Sequence, residues 1–240
     1  MQHINDTSQQ QHYRKVCPRC FKSASACCCS LATPIDLDGK VKFIFLMHPK
    51  EAKRQRTGTG RLASLCLPGS EILVGVDFSH NARLNSLLCD QSYLPVLLYP
   101  SPRSITFADV ALGQEVKGKT ILVLIVDSTW FCSKKVIKTS ENITALTRVS
   151  FSQTHESLFI FKRQPKVGFV STIEACYYLI QEMQEASLVR KDVSPEPLME
   201  TFKAMVKFQL QKQNERVSGK IPSTHANDWK YNELKQIPTF

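Results

Sequence analysis

Apolar positions along the chain fall into two textures: short unbroken runs, and longer stretches in which apolar residues recur at helical spacing. The run 43–47, closed by His48-Pro49, reads as a buried strand, because a few consecutive apolar residues bounded by a breaker suit a strand better than a helix. Runs at 72–76, 96–99 and 121–126 repeat the texture, and 158–161 with 168–170 complete the candidate strands. Residues 121–126 are so uniformly aliphatic that both faces of that strand must be covered.

The helical texture is equally readable. Pro49 fits the first turn of a helix carrying Glu51, Lys53 and Arg54, before a flexible Thr57-Gly58-Thr59-Gly60 stretch. Residues 81–89 set Leu84, Leu87 and Leu88 on one face. Ser171-Thr172-Ile173-Glu174 has the form of a capping box, which predicts a helix with Ile173, Tyr177 and Ile180 on one side. A further helix starts near Ser194-Pro195, carries Leu198, Phe202, Met205 and Val206, and stops before Gly219. Strands and helices alternate, so the expected class is α/β, with a mostly parallel sheet, flanking helices and ligands at the carboxyl ends of the strands. The expected organisation is a flexible N-terminus (1–14), a cysteine-rich segment (15–33), an α/β domain (34–218) and a polar, aperiodic tail (219–240) that is either disordered or draped over a partner.

Composition narrows the function classes. With 240 residues, 42% hydrophobic and 22% charged, the chain can bury a sizeable core, which excludes wholesale disorder and fibrous repeats. The aliphatic run 121–126 falls far short of the roughly 20 residues that cross a bilayer. Residues 1–11 are polar and lack the apolar core of a secretory signal, so the reducing cytoplasm is the expected compartment. Lys and Arg total 31 against 21 Asp and Glu, a net charge of 31 − 21 = +10 that would draw a polyanion, nucleic acid first. The basic residues cluster: Lys50, Lys53, Arg54, Arg56 and Arg61; then Lys134, Lys135 and Lys138; then Lys162, Arg163 and Lys166. Clusters beside strand ends resemble a lined surface more than scattered solubilising charge.

Nine cysteines in a reducing compartment need a reason other than disulfides. Cys17-x2-Cys20 is half of a zinc knuckle, since two intervening residues let both sulfurs reach one tetrahedral ion. In an extended triplet, Cys27 and Cys29 point the same way and Cys28 turns aside. The expected ligands are therefore Cys17, Cys20, Cys27 and Cys29, a closed thiolate set that makes the zinc structural. Cys66, Cys89, Cys132 and Cys176 stand alone among apolar residues and read as inert packing.

Candidate chemistry gathers at the strand exits Tyr99-Pro100-Ser101, Asp127-Ser128-Thr129-Trp130 and Ser171-Thr172-Ile173-Glu174. They put a carboxylate, hydroxyls and large aromatics around one crevice, a plausible small-molecule pocket. Asp127-x-Thr129-Trp130, with Cys-x2-Cys-x6-Cys-x-Cys before it, resembles the DTW-domain tRNA-uridine aminocarboxypropyltransferases. Supporting matches are His48-Pro49-Lys50-Glu51 with Arg54, Thr59 and Arg61-Leu62, Leu97-Leu98-Tyr99-Pro100-Ser101, Lys135, Gln164-Pro165 and Ser171-Thr172-x-Glu174-Ala175. Ser128 departs from the family's usual Gly, and Leu146-Thr147-Arg148-Val149 from its Leu-Pro-Arg-Val.

The resemblance implies a fold related to the knotted SPOUT-type enzymes and S-adenosylmethionine as donor. The reaction it implies moves the 3-amino-3-carboxypropyl group to N3 of a tRNA uridine. Leu98, Tyr99, Pro100, Ser101, Thr129, Trp130, Ser171 and Thr172 would then surround the donor, and Arg54, Arg61, Lys135 and Arg163 would hold tRNA phosphates. N3 is a poor nucleophile while it keeps its proton, so a carboxylate should help remove it, and Asp127 is the candidate base. Asp127 could equally hold the donor's ammonium or support its loop. An RNA methyltransferase using the same donor and a non-catalytic zinc and RNA-binding module are the alternatives.

Overall fold

The computed structural model describes residues 15–53, 57–109, 114–160, 167–222 and 235–239. Strands β1 (Val41–Met47), β2 (Glu71–Val74), β3 (Tyr93–Leu98), β4 (Thr120–Asp127) and β5 (Thr147–Val149) form a single sheet in the order β2-β1-β4-β3-β5. Every pairing is parallel. The aliphatic β4 lies at its centre, with Val41 opposite Ile121 and Met47 opposite Asp127 on one side, and β3 on the other. Because all strands run the same way, Met47, Leu98, Asp127 and Val149 end at one edge.

The strand period of two sends alternate β4 residues to opposite layers. Ile121, Val123 and Ile125 join the larger core, beneath α2 (Gly60–Cys66), α6 (Thr172–Glu185) and α7 (Glu196–Val217). Leu122 and Leu124 face the smaller core, beneath α3 (Ala82–Cys89), α4 (Trp130–Thr139) and α5 (Glu141–Thr144). The short α1 (Pro49–Lys53) follows β1. Cys20 and Cys28 are buried in the larger core, so the cysteine segment packs on the α/β body rather than standing apart.

Several elements follow the sequence pattern closely. Asn81 caps α3 by accepting from Leu84 N at 2.9 Å. Ile173 and Ile180 are buried on α6, and Leu198, Phe202, Met205 and Val206 on α7.

Others depart from it. The 57–60 stretch is not a flexible connector: Thr59 is the N-cap and Gly60 the first residue of α2. Residues 158–160 and 167–170 form no strand. Leu158 N donates to the Glu174 carboxylate at 2.7 Å instead of to a ladder, and Gly168 turns the chain at φ +85°. Residues 235–239 of the tail lie against its own domain. Asn214 of α7 donates to Lys235 O at 2.8 Å and accepts from Lys235 N at 3.0 Å, and Ile237 packs on the larger core. Among the described residues no helix is long and apolar enough to cross a membrane.

Candidate active site

The carboxyl edge of the sheet opens into a cavity of about 840 Å³. At its base lies Asp127, the last residue of β4, only 5% exposed. Its Oδ1 accepts from Thr172 Oγ1 at 2.7 Å, which ties the end of the central strand to the first turn of α6. Gly60 abuts the carboxylate from the opposite side. The main chain beyond β1 is held to the same strand end, with His48 N donating to Asp127 O at 3.0 Å.

The exits of β3 and β4 and the start of α6 all border this space. Leu98, Tyr99, Pro100 and Ser101 line it from β3, Thr129 and Trp130 from beyond β4, and Ser171 and Thr172 from α6. Thr129 caps α4 by accepting from Cys132 N at 3.3 Å, which fixes Trp130 as the first helical residue. The Trp130 ring stacks on Phe169 with centroids 3.9 Å apart, and Tyr99 lies at 6.2 Å in a tilted arrangement. The result is one continuous aromatic wall.

The opposite wall rests on buried acids. Glu174, fully buried, accepts from Ser171 N at 2.8 Å and Ser171 Oγ at 2.6 Å, closing the predicted capping box. It also accepts from Ser157 Oγ and Leu158 N. One turn pair further along α6, Glu182 accepts from Ser152 N at 2.7 Å and Ser152 Oγ at 2.8 Å. These bonds hold segment 152–158 against α6.

Phe169 and Glu51 are among the lining residues that escape sequence reasoning. Phe169 sits in a stretch that reads as a strand, so nothing marks its ring as a cavity wall. Glu51 also lines the cavity; its place beside Pro49-Lys50 in a familiar motif is the available signal.

Of the four predicted cation sites, two lie among the described residues. Arg61, the second residue of α2, lies over the Phe21 ring at 4.3 Å and feels both the Asp127 carboxylate and the Cys20 thiol. Lys135 is exposed on α4. Arg54 and Arg163 lie outside the described residues.

The cysteine segment forms a second centre. The Sγ atoms of Cys17, Cys20, Cys27 and Cys29 all lie within 4.8 Å of one another. Cys17 to Cys29 and Cys20 to Cys27 are each 3.8 Å apart, which matches the roughly 3.8 Å edge of a tetrahedron with bonds of about 2.3 Å. The donor set therefore fits zinc, with no position left open for a substrate. Backbone amides of Cys20 and Arg19 pull the Cys17 thiol down to about 6, while burial pushes Cys28, which turns aside into the core, up to about 11. Lys22, 5% exposed, stands beside this sulfur cluster; burial lowers its pKa below the ordinary lysine value, and the Cys28, Cys20 and Cys29 sulfurs offset only part of that.

The isolated cysteines divide. Cys66 and Cys176 are fully buried, as packing requires, whereas Cys89 is exposed and Cys132 half-exposed. Both sit on helices whose buried face is turned away from them: α3 buries Leu84 and Leu87, and α4 buries Ser133, Val136 and Ile137.

Sheet, cavity and cysteine centre together define an α/β protein with a ligand pocket at the strand ends and a four-thiolate module packed beside it. The chain belongs to the DTW-domain family, whose DTW domain matches residues 14–210. It is 27% identical over 202 residues to the tRNA-uridine aminocarboxypropyltransferase 2 of Drosophila melanogaster, covering 82% of this chain and 76% of that one. No solved structure matches the chain significantly.

Proposed function

We propose that this protein is a tRNA-uridine aminocarboxypropyltransferase using S-adenosylmethionine as donor. The observation that carries the reading is the buried Asp127 carboxylate, held by Thr172 at the base of a cavity walled by Trp130 and Phe169. The aromatic wall suits the donor's adenine, and the hydroxyls of Ser101 and Ser171 are hydrogen-bond partners for its polar arm. The cavity lining carries a second carboxylate, Glu51. Glu51 would receive the donor's ammonium, leaving Asp127 to act on the acceptor.

In this reading Asp127 takes the proton from N3 of the uridine. N3 then bonds to the γ-carbon of the donor's aminobutyrate arm. The γ-carbon to sulfur bond breaks with its electron pair moving to sulfur, and 5′-methylthioadenosine departs. Placement of the γ-carbon rather than the methyl before N3 decides the product. Cys17, Cys20, Cys27 and Cys29 would hold a structural zinc. The SPOUT-like, knotted reading of the fold rests on the family resemblance, and the all-parallel sheet is compatible with it. The cysteines, none of them in a disulfide among the described residues, suit the reducing cytoplasm.

The test is product analysis with S-adenosylmethionine and tRNA. Methylthioadenosine should form with the intact protein and fall by about 100-fold or more with Asp127→Asn, in line with loss of general-base catalysis. S-adenosylhomocysteine as the sole nucleoside product would replace this assignment by a methyltransferase.

A further inference from the structure

Phe131 is 87% exposed, more than any other large apolar residue described. It directly follows Trp130 of the cavity wall, and its position on α4 is fixed by the Thr129 cap. A single exposed ring is ordinary on a protein surface; what sets Phe131 apart is the company it keeps on its helix. Residues 131, 134, 135 and 138 are related by steps of three and four, so Phe131, Lys134, Lys135 and Lys138 share one helical face. All are exposed, while Ser133, Val136 and Ile137 on the other face are buried. None of the three lysines forms an ion pair among the described residues.

We propose that this outer face of α4 binds an unpaired RNA segment beside the cavity, with a base stacked on Phe131 and phosphates held by Lys134, Lys135 and Lys138. The proposal rests on tRNA being the acceptor and specifies which part of it is gripped: a single-stranded stretch next to the modified base. The occupant follows from the chemistry of the face. Cationic side chains suit a phosphate backbone, and a ring accepts a base of any sequence. A surface for a protein partner would be expected to deplete lysine rather than align three of them. From residue 131 to 138 the helix rises about 10 Å, a span for a short run of nucleotides rather than a duplex. The aromatic end lies nearest the cavity, so a nucleotide stacked there would neighbour the one that enters.

The experiment uses the full chain, with binding of tRNA and of a short oligouridylate followed by fluorescence anisotropy over a range of salt concentrations. Phe131→Ala should weaken both by about tenfold, within the range one base stack contributes, and leave the salt slope unchanged. Phe131→Trp should restore affinity. Lys134→Gln, Lys135→Gln and Lys138→Gln combined should flatten the salt slope by about two units, at about 0.7 per single-strand phosphate. Calorimetric binding of S-adenosylmethionine should be unchanged in all of them. In turnover, Phe131→Ala should raise KM for tRNA and spare kcat. Wild-type RNA affinity in Phe131→Ala would overturn the proposal, as would a change in oligomeric state without a change in RNA binding. If Phe131→Ala loses RNA affinity as expected but the intact protein releases no methylthioadenosine, the surface stands and the transferase reading fails. If it turns over and Phe131→Ala binds RNA normally, the reverse holds.

Discussion

Gly60 and Asp127 touch across the base of the cavity so closely that a β-carbon on residue 60 would overlap the Asp127 carboxylate. Alanine is compatible with the first turn of a helix and has the better helix propensity, by about 1 kcal/mol in helix interiors. Gly60→Ala therefore acts through collision, and the carboxylate must shift. We expect turnover to fall about 100-fold, as displacements on the order of 1 Å do. Thermal unfolding should move by only a few degrees, since overpacking of about 1–3 kcal/mol is partly offset by propensity. A variant with normal methylthioadenosine release would show that Asp127 need not sit where it does.

The stacking of Trp130 on Phe169 leads to a binding prediction. Trp130→Ala removes one face of the aromatic wall and should weaken S-adenosylmethionine by about tenfold or more, the scale of one aromatic stack with its buried area. Trp130→Phe should retain most of the affinity. Calorimetry with the donor alone measures both.

Glu71, at the start of the outer strand β2, accepts from Arg83 Nε and a terminal guanidinium nitrogen at 2.8 and 2.7 Å and pairs with Lys42 at 3.0 Å. The Arg83 hydrogen bonds, with Lys42 behind them, hold its carboxyl at about 2, below the ordinary 4.5. A lowered folded-state value stabilises the protein above the unfolded value and loses that stabilisation as pH falls through the folded one. Glu71→Gln should thus be less stable by about 1 kcal/mol at pH 7, discounted for the solvent around Arg83. The gap should narrow steadily from pH 5 towards pH 2. Urea unfolding at a series of pH values reads it directly.

Metal analysis should find about one zinc per chain. Cys17→Ser and Cys27→Ser should each lose it, and melting should fall because Cys20 and Cys28 anchor the segment in the larger core. Cys28→Ala should keep its zinc, since that thiol points into the core. Loss of metal in Cys28→Ala with retention in Cys27→Ser would exchange the two roles.

Legibility in the sequence tracked how much of an element's reason is local. The strands β1 and β4 are unbroken apolar runs, α3 and α6 carry helical spacing with a cap, and α7 carries it after a proline start, so each declares itself. The cysteine cluster was legible because two-residue and one-residue spacings limit where sulfurs can point. By contrast, α2 starts at the end of Thr57-Gly58-Thr59-Gly60, which reads as a breaker; its helix exists because Leu62, Ala63 and Cys66 bury against the core. The short β5 is Thr-Arg-Val at the sheet edge, with no apolar run to notice. Residues 158–161 and 168–170 look like strands, but the Glu174 carboxylate, sixteen residues away, takes the Leu158 N–H, and Gly168 turns the chain at φ +85°. Phe169 was hidden for the same reason. Its role depends on Trp130, brought alongside only by the folded chain.

Glu174 and Glu182 fasten segment 152–158 to α6 like a strap buckled at both ends. Lifting it would take the Ser152 donors from Glu182 and the Ser157 and Leu158 donors from Glu174, leaving Glu174 only its bonds from Ser171, a penalty of several kcal/mol in total. That side of the cavity is consequently a fixed jamb and not a swinging lid. Engineering of the cavity for wider ligands should therefore remodel the rim at Trp130 and leave the strap alone.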